Sequence, residues 1–523
     1  MSDEPKPGRF GRGRITRRSV FIAAMAGVLV AGGGAAVYAA AVPQVGTGAG
    51  GCFDPIAYHA VPNDGQDDRA AIQAAIDDAT GAGGGTVCLG SGHWTVTRAP
   101  TIGSYNRFAA LATHGAHLAI TGTGPGTVLD LVGDSLGATA VISLDPGATD
   151  ITIERLAIDT STTTNTDEQT HAIAIGTGVC TTANGTCSMP VTDVTVRDVR
   201  FTHPLLPGSR KGDCIRVLGN FPETPVRRVT IEGSSFINCA RSGIAVQRNV
   251  FSLAVLGNHF GEQIGDTAFD SDASGGGTDD GLRLIGNSFA DSKVTASASI
   301  TSYNHVTITG NTFAGRGLGL DRNRNVVVAD NTFDVTEVTG GAVIDSINLA
   351  DGLKIDNNVI RRHGVPGPGI RVTPHSGGIP QQVSISGNTI SVDGDADAIY
   401  GDGVRNIGIR DNDITLVDPA PNGSGIALQG INGPIDELMI TGNSIAGPLS
   451  ATGGNTIFAA VRLDSRPTQI RGVTVALNSS RGALRSLQCS QSAPGGFPQP
   501  FVSSGNRWNV PPTCVGAVLQ PGQ

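Results

Sequence analysis

Residues 306–313 read Val-Thr-Ile-Thr-Gly-Asn-Thr-Phe, and residues 326–333 read Val-Val-Val-Ala-Asp-Asn-Thr-Phe. In both, alternating apolar residues precede two polar or glycine residues, an asparagine, one further residue and an aromatic. The alternation has the period of two that is typical of a β-strand. Further copies, some ending in Ile, span Leu253–Phe260, Leu282–Phe289, Leu353–Ile360, Val383–Ile390, Ile407–Ile414 and Leu438–Ile445, and weaker copies begin at Ile151, Val194, Val229 and Val473.

The spacing of these copies decides the fold class. Neighbouring copies lie 20 to 43 residues apart, which indicates a solenoid. A second short strand precedes many copies, as in Gly243–Val246 and Gly425–Leu428. Two or three strands per repeat, stacked in parallel, describe an all-β fold, the right-handed parallel β-helix. The recurring asparagine is interpreted as structural, because Asn adopts left-handed turns and hydrogen-bonds to its neighbours in a stack.

The composition excludes several other classes. Of the 523 residues, 74 are Gly, 39% are hydrophobic, 15% are charged and 4% are aromatic. Low charge with ample aliphatic residues excludes intrinsic disorder, and the glycines lack the every-third spacing of collagen. A helical bundle would be richer in Ala, Leu, Glu, Lys and Arg. The net charge is −9, whereas a nucleic-acid-binding domain usually carries a basic surface.

The first 41 residues resemble a twin-arginine export signal, which carries folded proteins across a membrane. Arg17 and Arg18 precede an apolar stretch that runs to about Val42, and Ala39–Ala41 supply small residues for cleavage. The mature protein is therefore expected to be secreted. The alternative is an uncleaved membrane anchor, because about 20 apolar residues are enough to span a bilayer.

All eight cysteines follow this segment and form neighbouring pairs along the chain. An even number of cysteines in an exported chain predicts disulfides, whereas a zinc site would need closely spaced Cys and His residues. Eight cysteines permit about 105 connectivities, and the repeat guides the choice among them. The predicted pairs are Cys52 with Cys88, Cys180 with Cys187, Cys214 with Cys239, and Cys489 with Cys514.

A solenoid exposes strand edges at both ends, and these ends need caps. Asp67–Thr80 predicts a capping helix with Asp67 or Asp68 at its N-cap. Its apolar face would consist of Ile72, Ala75, Ile76 and Ala79. The predicted organisation is a signal at residues 1–41, an N-terminal cap at 52–100, the β-helix at 101–478 and a disulfide-stapled C-terminal cap at 479–523.

The capping segment also carries a family resemblance. Residues 63–76 read Asn-Asp-Gly-Gln-Asp-Asp-Arg-Ala-Ala-Ile-Gln-Ala-Ala-Ile, and residues 83–87 read Gly-Gly-Gly-Thr-Val. Together they resemble the opening of the pectate-lyase-like superfamily, and more narrowly its rhamnogalacturonase- and epimerase-like β-helix domains. The resemblance is strong over residues 54–97 and rests on the repeats elsewhere. The resemblance implies a carbohydrate polymer as ligand. Proteins of this kind include hydrolases, lyases, epimerases and phage tailspikes, so the resemblance does not name the reaction.

Strand residues alternate between core and surface, so an alignment of the upstream strands predicts which side chains face outward. The mixture of acids, Arg and Tyr in the middle repeats suits a sugar-binding groove. The first predicted outward column is Arg216, Ala245, Asp270, Thr301, Gly319, Ile344, Arg371, Tyr400, Ala427 and Arg462. The second is Leu218, Gln247, Asp272, Tyr303, Asp321, Ser346, Thr373, Asp402, Gln429 and Asp464.

Asp270, Asp272 and Asp321 are the predicted catalytic residues. Asp270 and Asp272 share one face of one strand, about 6.6 Å apart, and Asp321 lies two repeats beyond Asp272, about 9.6 Å along the axis. Glycoside hydrolysis needs one protonated and one ionised carboxyl, and separations of about 6.5–9.5 Å favour inversion. Clustered like charges push such pKa values apart. The alternatives are a Ca²⁺ site and ordinary solvated surface acids.

Other side chains are predicted to bind the sugar, and Asp213 is one of them. Arg210–Cys214 and Asn165–Asp167 resemble in part the Gly-Asp-Asp-Cys and Asn-Thr-Asp motifs of polygalacturonases. The second Asp of the first motif is missing, which speaks against polygalacturonase activity, and Asp213 alternatively stabilises a turn beside a disulfide. The remaining predicted binding residues are Arg216, Arg241, Gln247, Tyr303, Arg371 and Tyr400.

The sequence thus predicts an exported glycoside hydrolase that cleaves a polysaccharide by carboxylate acid/base catalysis without a cofactor. One alternative is a polysaccharide lyase or epimerase, in which Arg or Lys removes a proton beside a uronate carboxylate, often with Ca²⁺. The other is a non-catalytic β-helix that binds carbohydrate or is purely structural.

Overall fold

The structure is a computed structural model. It describes residues 51–99, 108–133, 139–164, 167–176, 189–203, 212–219, 224–272, 279–290, 296–336, 341–348, 351–364, 367–374, 381–393, 396–417, 420–447, 457–465, 470–491 and 501–514. The expected export signal at residues 1–41 lies outside these ranges, as do Cys180 and Cys187. Among the described residues, no helix is long and apolar enough to cross a membrane.

The elements are numbered in chain order. The N-terminal part contains β1 (Cys52–Phe53), a 3-10 helix (Pro55–Tyr58), α1 (Arg69–Gly81), β2 (Gly85–Cys88), β3 (Gly92–Val96), β4 (Phe108–Thr113), β5 (Ala116–Thr121), β6 (Thr127–Leu131), β7 (Thr139–Leu144), β8 (Thr149–Asp159), β9 (Thr170–Gly176) and β10 (Val191–His203). The next part contains β11 (Ile215–Leu218), β12 (Val226–Glu232), β13 (Ser235–Cys239), β14 (Ile244–Gln247), β15 (Val250–Leu256), β16 (His259–Ile264), β17 (Thr267–Ser271), β18 (Asp279–Ile285), β19 (Ser288–Phe289), β20 (Ala296–Thr301), β21 (Tyr303–Thr309), β22 (Thr312–Ala314) and β23 (Leu318–Asp321).

The remaining strands continue the same succession. They are β24 (Arg324–Ala329), β25 (Thr332–Val335), β26 (Ile344–Ile347), β27 (Asp351–Asp356), β28 (Val359–Arg362), β29 (Ile370–Thr373), β30 (Gln381–Ser386), β31 (Thr389–Val392), β32 (Ile399–Asp402), β33 (Arg405–Arg410), β34 (Asp413–Leu416), β35 (Ala420–Gln429), β36 (Ile435–Thr441), β37 (Ser444–Ala446), β38 (Ile457–Ser465), β39 (Ile470–Ala476), β40 (Ser479–Arg481), β41 (Ala483–Gln491), β42 (Phe501–Ser504) and β43 (Thr513–Cys514).

These strands form two parallel sheets. A 15-stranded sheet consists of β4, β7, β9, β11, β14, β17, β20, β23, β26, β29, β32, β35, β38, β41 and β43, and the other strands form a 28-stranded sheet. One coil in the middle of the chain comprises β21 and β22 of the long sheet and then β23 of the short one. Each strand pairs in parallel with its counterpart one coil later, as Val306 does with Val326. The predicted all-β parallel β-helix is confirmed.

Two stacks of like residues run along the coils. Phe201, Phe236, Phe260, Phe289, Phe313 and Phe333 stack face to face with ring centroids 4.6–4.9 Å apart. The recurring asparagines form a buried ladder in which each side-chain oxygen accepts from the backbone and side-chain amides of the preceding coil, as Asn331 does from Asn311 at 2.9 Å for both bonds. This ladder supports the structural interpretation of the asparagines.

The capping helix is α1, and its predicted apolar face of Ile72, Ala75, Ile76 and Ala79 is buried. Asp68 occupies the N-cap position, but its side chain makes no capping bond. Its carboxylate instead accepts from the backbone amides of Val61, at 2.8 Å, and Thr95, at 3.1 Å. The carboxylate thus anchors α1 to the first coil.

Three of the four predicted disulfides are present: Cys52–Cys88, Cys214–Cys239 and Cys489–Cys514. The β-helix also continues beyond residue 478, where the sequence placed its end. Strands β40 to β43 keep pairing with both sheets, for example Val475 with Ser503. The sequence pattern fades there because apolar alternation gives way to Ser, Arg and Asn, although the backbone ladder continues.

Candidate functional site

The predicted site lies on the outer face of the 15-stranded sheet. Ile215, Ile244 and Phe269 are in register and buried, so the residues that follow them point outward. The observed first outward column is Arg216, Ala245, Asp270, Ser299, Gly319, Asp345, Arg371, Tyr400, Ala427 and Arg462. The second, two positions later, is Leu218, Gln247, Asp272, Thr301, Asp321, Ile347, Thr373, Asp402, Gln429 and Asp464.

The register of β20 differs from the predicted one by two residues. Ala298, and not Ile300, pairs with Phe269 and Leu318. As a result Tyr303 does not face outward: it begins β21, is 1% exposed and belongs to the hydrophobic core. The prediction that Tyr303 binds sugar is therefore wrong. A shift by two preserves the apolar alternation, so the pattern alone did not distinguish the two registers.

The register of β26 differs by one residue. Ile344, and not Val343, pairs with Leu318, so Ile344 is buried and Asp345 points outward. The predicted outward positions of Ile344 and Ser346 are wrong. Two adjacent apolar residues allowed either alignment, and a shift by one exchanges the two faces of a strand.

Asp213, at the start of the coil that contains β11, is the hub of a buried ionic network. Its side chain is fully buried. Arg241 donates to it in bidentate fashion, through Nε to Oδ1 at 2.8 Å and Nη2 to Oδ2 at 2.6 Å. Arg216 Nη1 lies 3.4 Å from Oδ2, and Arg216 Nη2 donates to Gln247 Oε1 at 2.6 Å. Four predicted binding residues, Asp213, Arg216, Arg241 and Gln247, are thus in one cluster.

Asp270 lies beside this network, on β17. The pKa of the Asp270 carboxyl is raised from 3.8 to about 6, first by burial and then by the negative charges of Asp266, Asp213 and Asp272, in that order. Arg241 opposes the shift. Asp270 is therefore a carboxyl of the cluster that stays protonated up to about pH 6, and a general acid must be protonated to act.

Asp272 is exposed at the end of the same strand, and its backbone amide donates to Val246 O at 2.9 Å. Strand alternation places it on the same face as Asp270, about 6.6 Å away along the strand. The structure therefore supplies two carboxyls in different surroundings, one partly buried and one open to solvent.

Asp321 is not part of this cluster. It lies two strands beyond Asp272, roughly 10 Å away at about 4.8 Å per strand. Its carboxylate accepts from Asn348 Nδ2 at 2.7 Å and from Arg322 Nε at 3.1 Å.

A second group of paired charges lies further along the face and contains the predicted residues Arg371 and Tyr400. Arg371 Nε donates to Asp345 Oδ1 at 2.7 Å, and Tyr400 pairs with Arg371 on the next strand. Burial, with the charges of Asp402 and Asp397, raises the pKa of Tyr400 to about 12. Tyr400 is therefore a neutral phenol at physiological pH.

Sequence analysis missed several residues of both groups. The buried imidazole of His171 accepts from the backbone amide of Asp213 through Nδ1 at 3.0 Å. Glu168 lies 3.6 Å from Arg241, and Asp345 binds Arg371. His171 and Glu168 belong to β9 and the turn before it, a stretch that the alignment of the upstream strands did not include, so only the structure places them. A correct register would have revealed Asp345.

The described residues contain no group of three or more His, Cys, Asp or Glu side chains that could hold a metal ion. Asn165, Thr166, Arg210 and Lys211, named in the motif comparison, lie outside the described ranges.

No protein-family model matches the chain, and no curated protein matches it. Among solved structures, the A-module of mannuronan C-5 epimerase AlgE6 from Azotobacter vinelandii is 16% identical over 88% of this chain and 99% of that chain, with a TM-score of 0.39. The catalytic unit of a GH87 α-1,3-glucanase from Streptomyces thermodiastaticus strain HF3-3 is 15% identical over 79% and 68%, with a TM-score of 0.41. Tailspike protein 3 of bacteriophage CBA120 is 12% identical over 88% and 62%, with a TM-score of 0.46. These scores are too low to assign an activity, so the function is argued from the site.

Proposed function

We propose that this protein is an exported enzyme that hydrolyses a polysaccharide bound along the outer face of the 15-stranded sheet. The observation that carries the proposal is the surroundings of Asp270, a partly buried carboxyl beside three other carboxylates, whose pKa is raised to about 6. A hydrolase needs one protonated and one ionised carboxyl close together, and Asp270 with Asp272 meets that need.

In the proposed reaction, Asp270 donates its proton to the glycosidic oxygen as the bond from this oxygen to the anomeric carbon breaks. Ionised Asp272 accepts a proton from a water molecule, whose oxygen forms the new bond to the anomeric carbon. The strand rise places the two residues about 6.6 Å apart, and carboxyl groups at about that separation leave room for the water and favour inversion of configuration. Proton exchange with solvent then restores both carboxyls.

The network around Asp213 supports this chemistry. Arg241 and Arg216 are fixed by Asp213 and Gln247, so their positions do not depend on the substrate. The exposed edge of Arg241, whose side chain is 26% exposed, and the amide of Gln247 are proposed to hydrogen-bond to sugar hydroxyls. Arg371, Tyr400 and Asp321 are proposed to contact sugar units further along the chain.

An extracellular location is part of the proposal. Three disulfides indicate folding in an oxidising compartment. The twin-arginine route is proposed from Arg17 and Arg18. Replacing both with Lys should leave the protein in the cytoplasm, and unchanged export of that variant would contradict this route.

The experiment that tests the reaction is a screen of the mature protein against a glycan panel, with products identified by mass spectrometry. Hydrolysis adds water to each cleaved bond. For an active glycan, Asp270→Asn should lower kcat/KM by about 10²- to 10⁴-fold, the usual contribution of a general acid. Asp334→Asn is the matched control, because Asp334 is exposed on β25 of the long sheet.

Two outcomes would count against the proposal. Full activity of Asp270→Asn would remove Asp270 as the acid. Products with an unsaturated uronate, formed without addition of water and lost with a chelator, would instead identify a lyase.

A further inference from the structure

The charges on the outward columns of the short sheet are strongly unbalanced. From β11 to β38, the two columns carry three arginines and six aspartates, of which Asp402 and Asp464 are buried. Arg241 and Arg322 lie beside the columns, and each is paired with an aspartate. The arginines of the columns are Arg216, Arg371 and Arg462, and the aspartates are Asp270, Asp272, Asp321, Asp345, Asp402 and Asp464. We refer to these outward positions as the acidic face.

Each arginine of the acidic face is already bound to a carboxylate. Arg371 Nε lies 2.7 Å from Asp345, and Arg462 Nη2 lies 2.9 Å from Asp397. Arg216 is held by Asp213, at 3.4 Å, and by Gln247. The side chains of Arg216, Arg371 and Arg462 are only 7%, 30% and 20% exposed.

These pairings decide how the face interacts with a charged glycan. A carboxylate or sulfate on the sugar would have to displace a protein carboxylate from an arginine, which leaves that carboxylate without its partner. It would also approach a surface that carries a net negative charge, and like charges in an interface disfavour binding. Sugar hydroxyls, by contrast, are donors, and carboxylate oxygens are strong acceptors for them.

We propose that the glycan bound by the acidic face carries no anionic group, and is built from neutral or amino sugars. This inference rests on the proposed function, since it assumes that the face binds a glycan. It also argues against β-elimination, because elimination requires a uronate beside the bond that breaks.

The test compares binding of matched polymers: neutral glucans and xylans, chitosan, and the same neutral glucans oxidised to carboxylates at C6. The Asp270→Asn variant is used for binding by affinity electrophoresis, so that cleavage does not consume the ligand, and the wild-type protein is used for turnover. The expected result is binding of a neutral or amino-sugar polymer that is at least about tenfold tighter than binding of any carboxylated one.

The outcomes of this test distinguish failure of the inference from failure of the proposed function. Binding of an uncharged polymer without any turnover by the wild-type protein supports the inference and overturns the proposed hydrolase. Tighter binding or faster turnover of a carboxylated polymer overturns the inference and leaves an enzyme in place. Binding of no polymer at all overturns both.

A charge variant provides a second readout. Asp345→Asn removes the carboxylate that neutralises Arg371, so this arginine becomes available to an anionic sugar. The substitution is made in the Asp270→Asn background. This double variant should bind the C6-carboxylated polymer several-fold more tightly than the single variant Asp270→Asn does. The control is Asp334→Asn, and an equal gain in that control would contradict a role for the acidic face.

Discussion

The raised pKa of Asp270 comes first from burial and then from three neighbouring carboxylates, on another coil and at the ends of its own strand. Asp213 belongs to the coil that contains β11, two coils before Asp270, and Asp266 and Asp272 lie at the two ends of β17. Burial alone raises the pKa of a carboxyl, and nearby carboxylates add to the effect. Asp272 is exposed on the same strand. Asp270 and Asp272 thus differ in burial although they lie on the same face of one strand.

The pH dependence of catalysis is the prediction that belongs to this residue. Because Asp270 must be protonated to act as the acid and its pKa is about 6, kcat/KM should decline as the pH rises above about 6. The measurement is kcat/KM against pH for an identified glycan. Activity that instead increases steadily into the alkaline range would contradict an acid role for Asp270.

At the residue scale, the sequence located the cluster only in part. Asp270, Asp272, Asp213, Arg216, Arg241 and Gln247 were all predicted and are gathered around β11, β14 and β17. The prediction that Tyr303 binds sugar was wrong, and His171, Asp266 and Asp345 were not predicted. The misses share a cause: contacts between coils depend on register and on turn conformation, and single-residue alternation does not specify either.

At the scale of the element, the asparagine ladder holds the turns between the strands of the long sheet in register. Asn331 is 1% exposed. It accepts two bonds from Asn311, and its side-chain amide donates to Ile308 O at 2.9 Å and to Asn358 Oδ1 at 2.9 Å. Removal of the Asn331 side chain therefore takes these bonds from the buried backbone amide of Asn311 and the carbonyl of Ile308 on the preceding coil.

Replacing Asn331 with Ala should lower the free energy of unfolding by about 2–4 kcal/mol, because buried donors and acceptors left unsatisfied each cost roughly 1–3 kcal/mol. Denaturant unfolding followed by circular dichroism gives the value. The matched control is Asn304→Ala, since Asn304 is partly exposed and bonds to exposed Asn325. Equal destabilisation by both substitutions would contradict a special role for the ladder.

Elements were easier to predict than their registers. The recurring phrase identified the strands of the long sheet and the turn between them, because both alternation and the turn residue are local features. The strands of the short sheet are only four residues long in many coils, for example β23 and β26. Such short strands tolerate shifts in a sequence alignment, and β26 was shifted by one residue. The six-residue β20 was shifted by two, which keeps the apolar alternation.

At the scale of the whole molecule, stability should depend on the partly buried carboxyl of Asp270 and the buried carboxyl of Asp279. Burial raises the pKa of Asp270 and of Asp279, each from 3.8 to about 6. A carboxyl whose pKa is raised on folding stabilises the folded state when it is protonated, and this contribution is lost as the pH rises through the folded pKa. These two groups therefore favour folding below about pH 6.

The corresponding measurement is the melting temperature above and below about pH 6, for the wild-type protein and for the double variant Asp270→Asn with Asp279→Asn. Other carboxylates respond to pH as well, so the readout is the difference between the two proteins. The double variant should gain stability relative to wild type above about pH 6 and lose this advantage near pH 4. An advantage that is the same at both values would contradict the raised pKa values.

The β-helix brings residues that are distant in sequence onto one side of the molecule, and the central claim is that this side hydrolyses a glycan. The most direct test is cleavage in water enriched in ¹⁸O, with the products analysed by mass spectrometry. Hydrolysis predicts one heavy oxygen at each new reducing end, in the wild-type protein and in Asp334→Asn, and its near absence in Asp270→Asn. Products that carry no heavy oxygen, or incorporation that is unchanged in Asp270→Asn, would contradict the account.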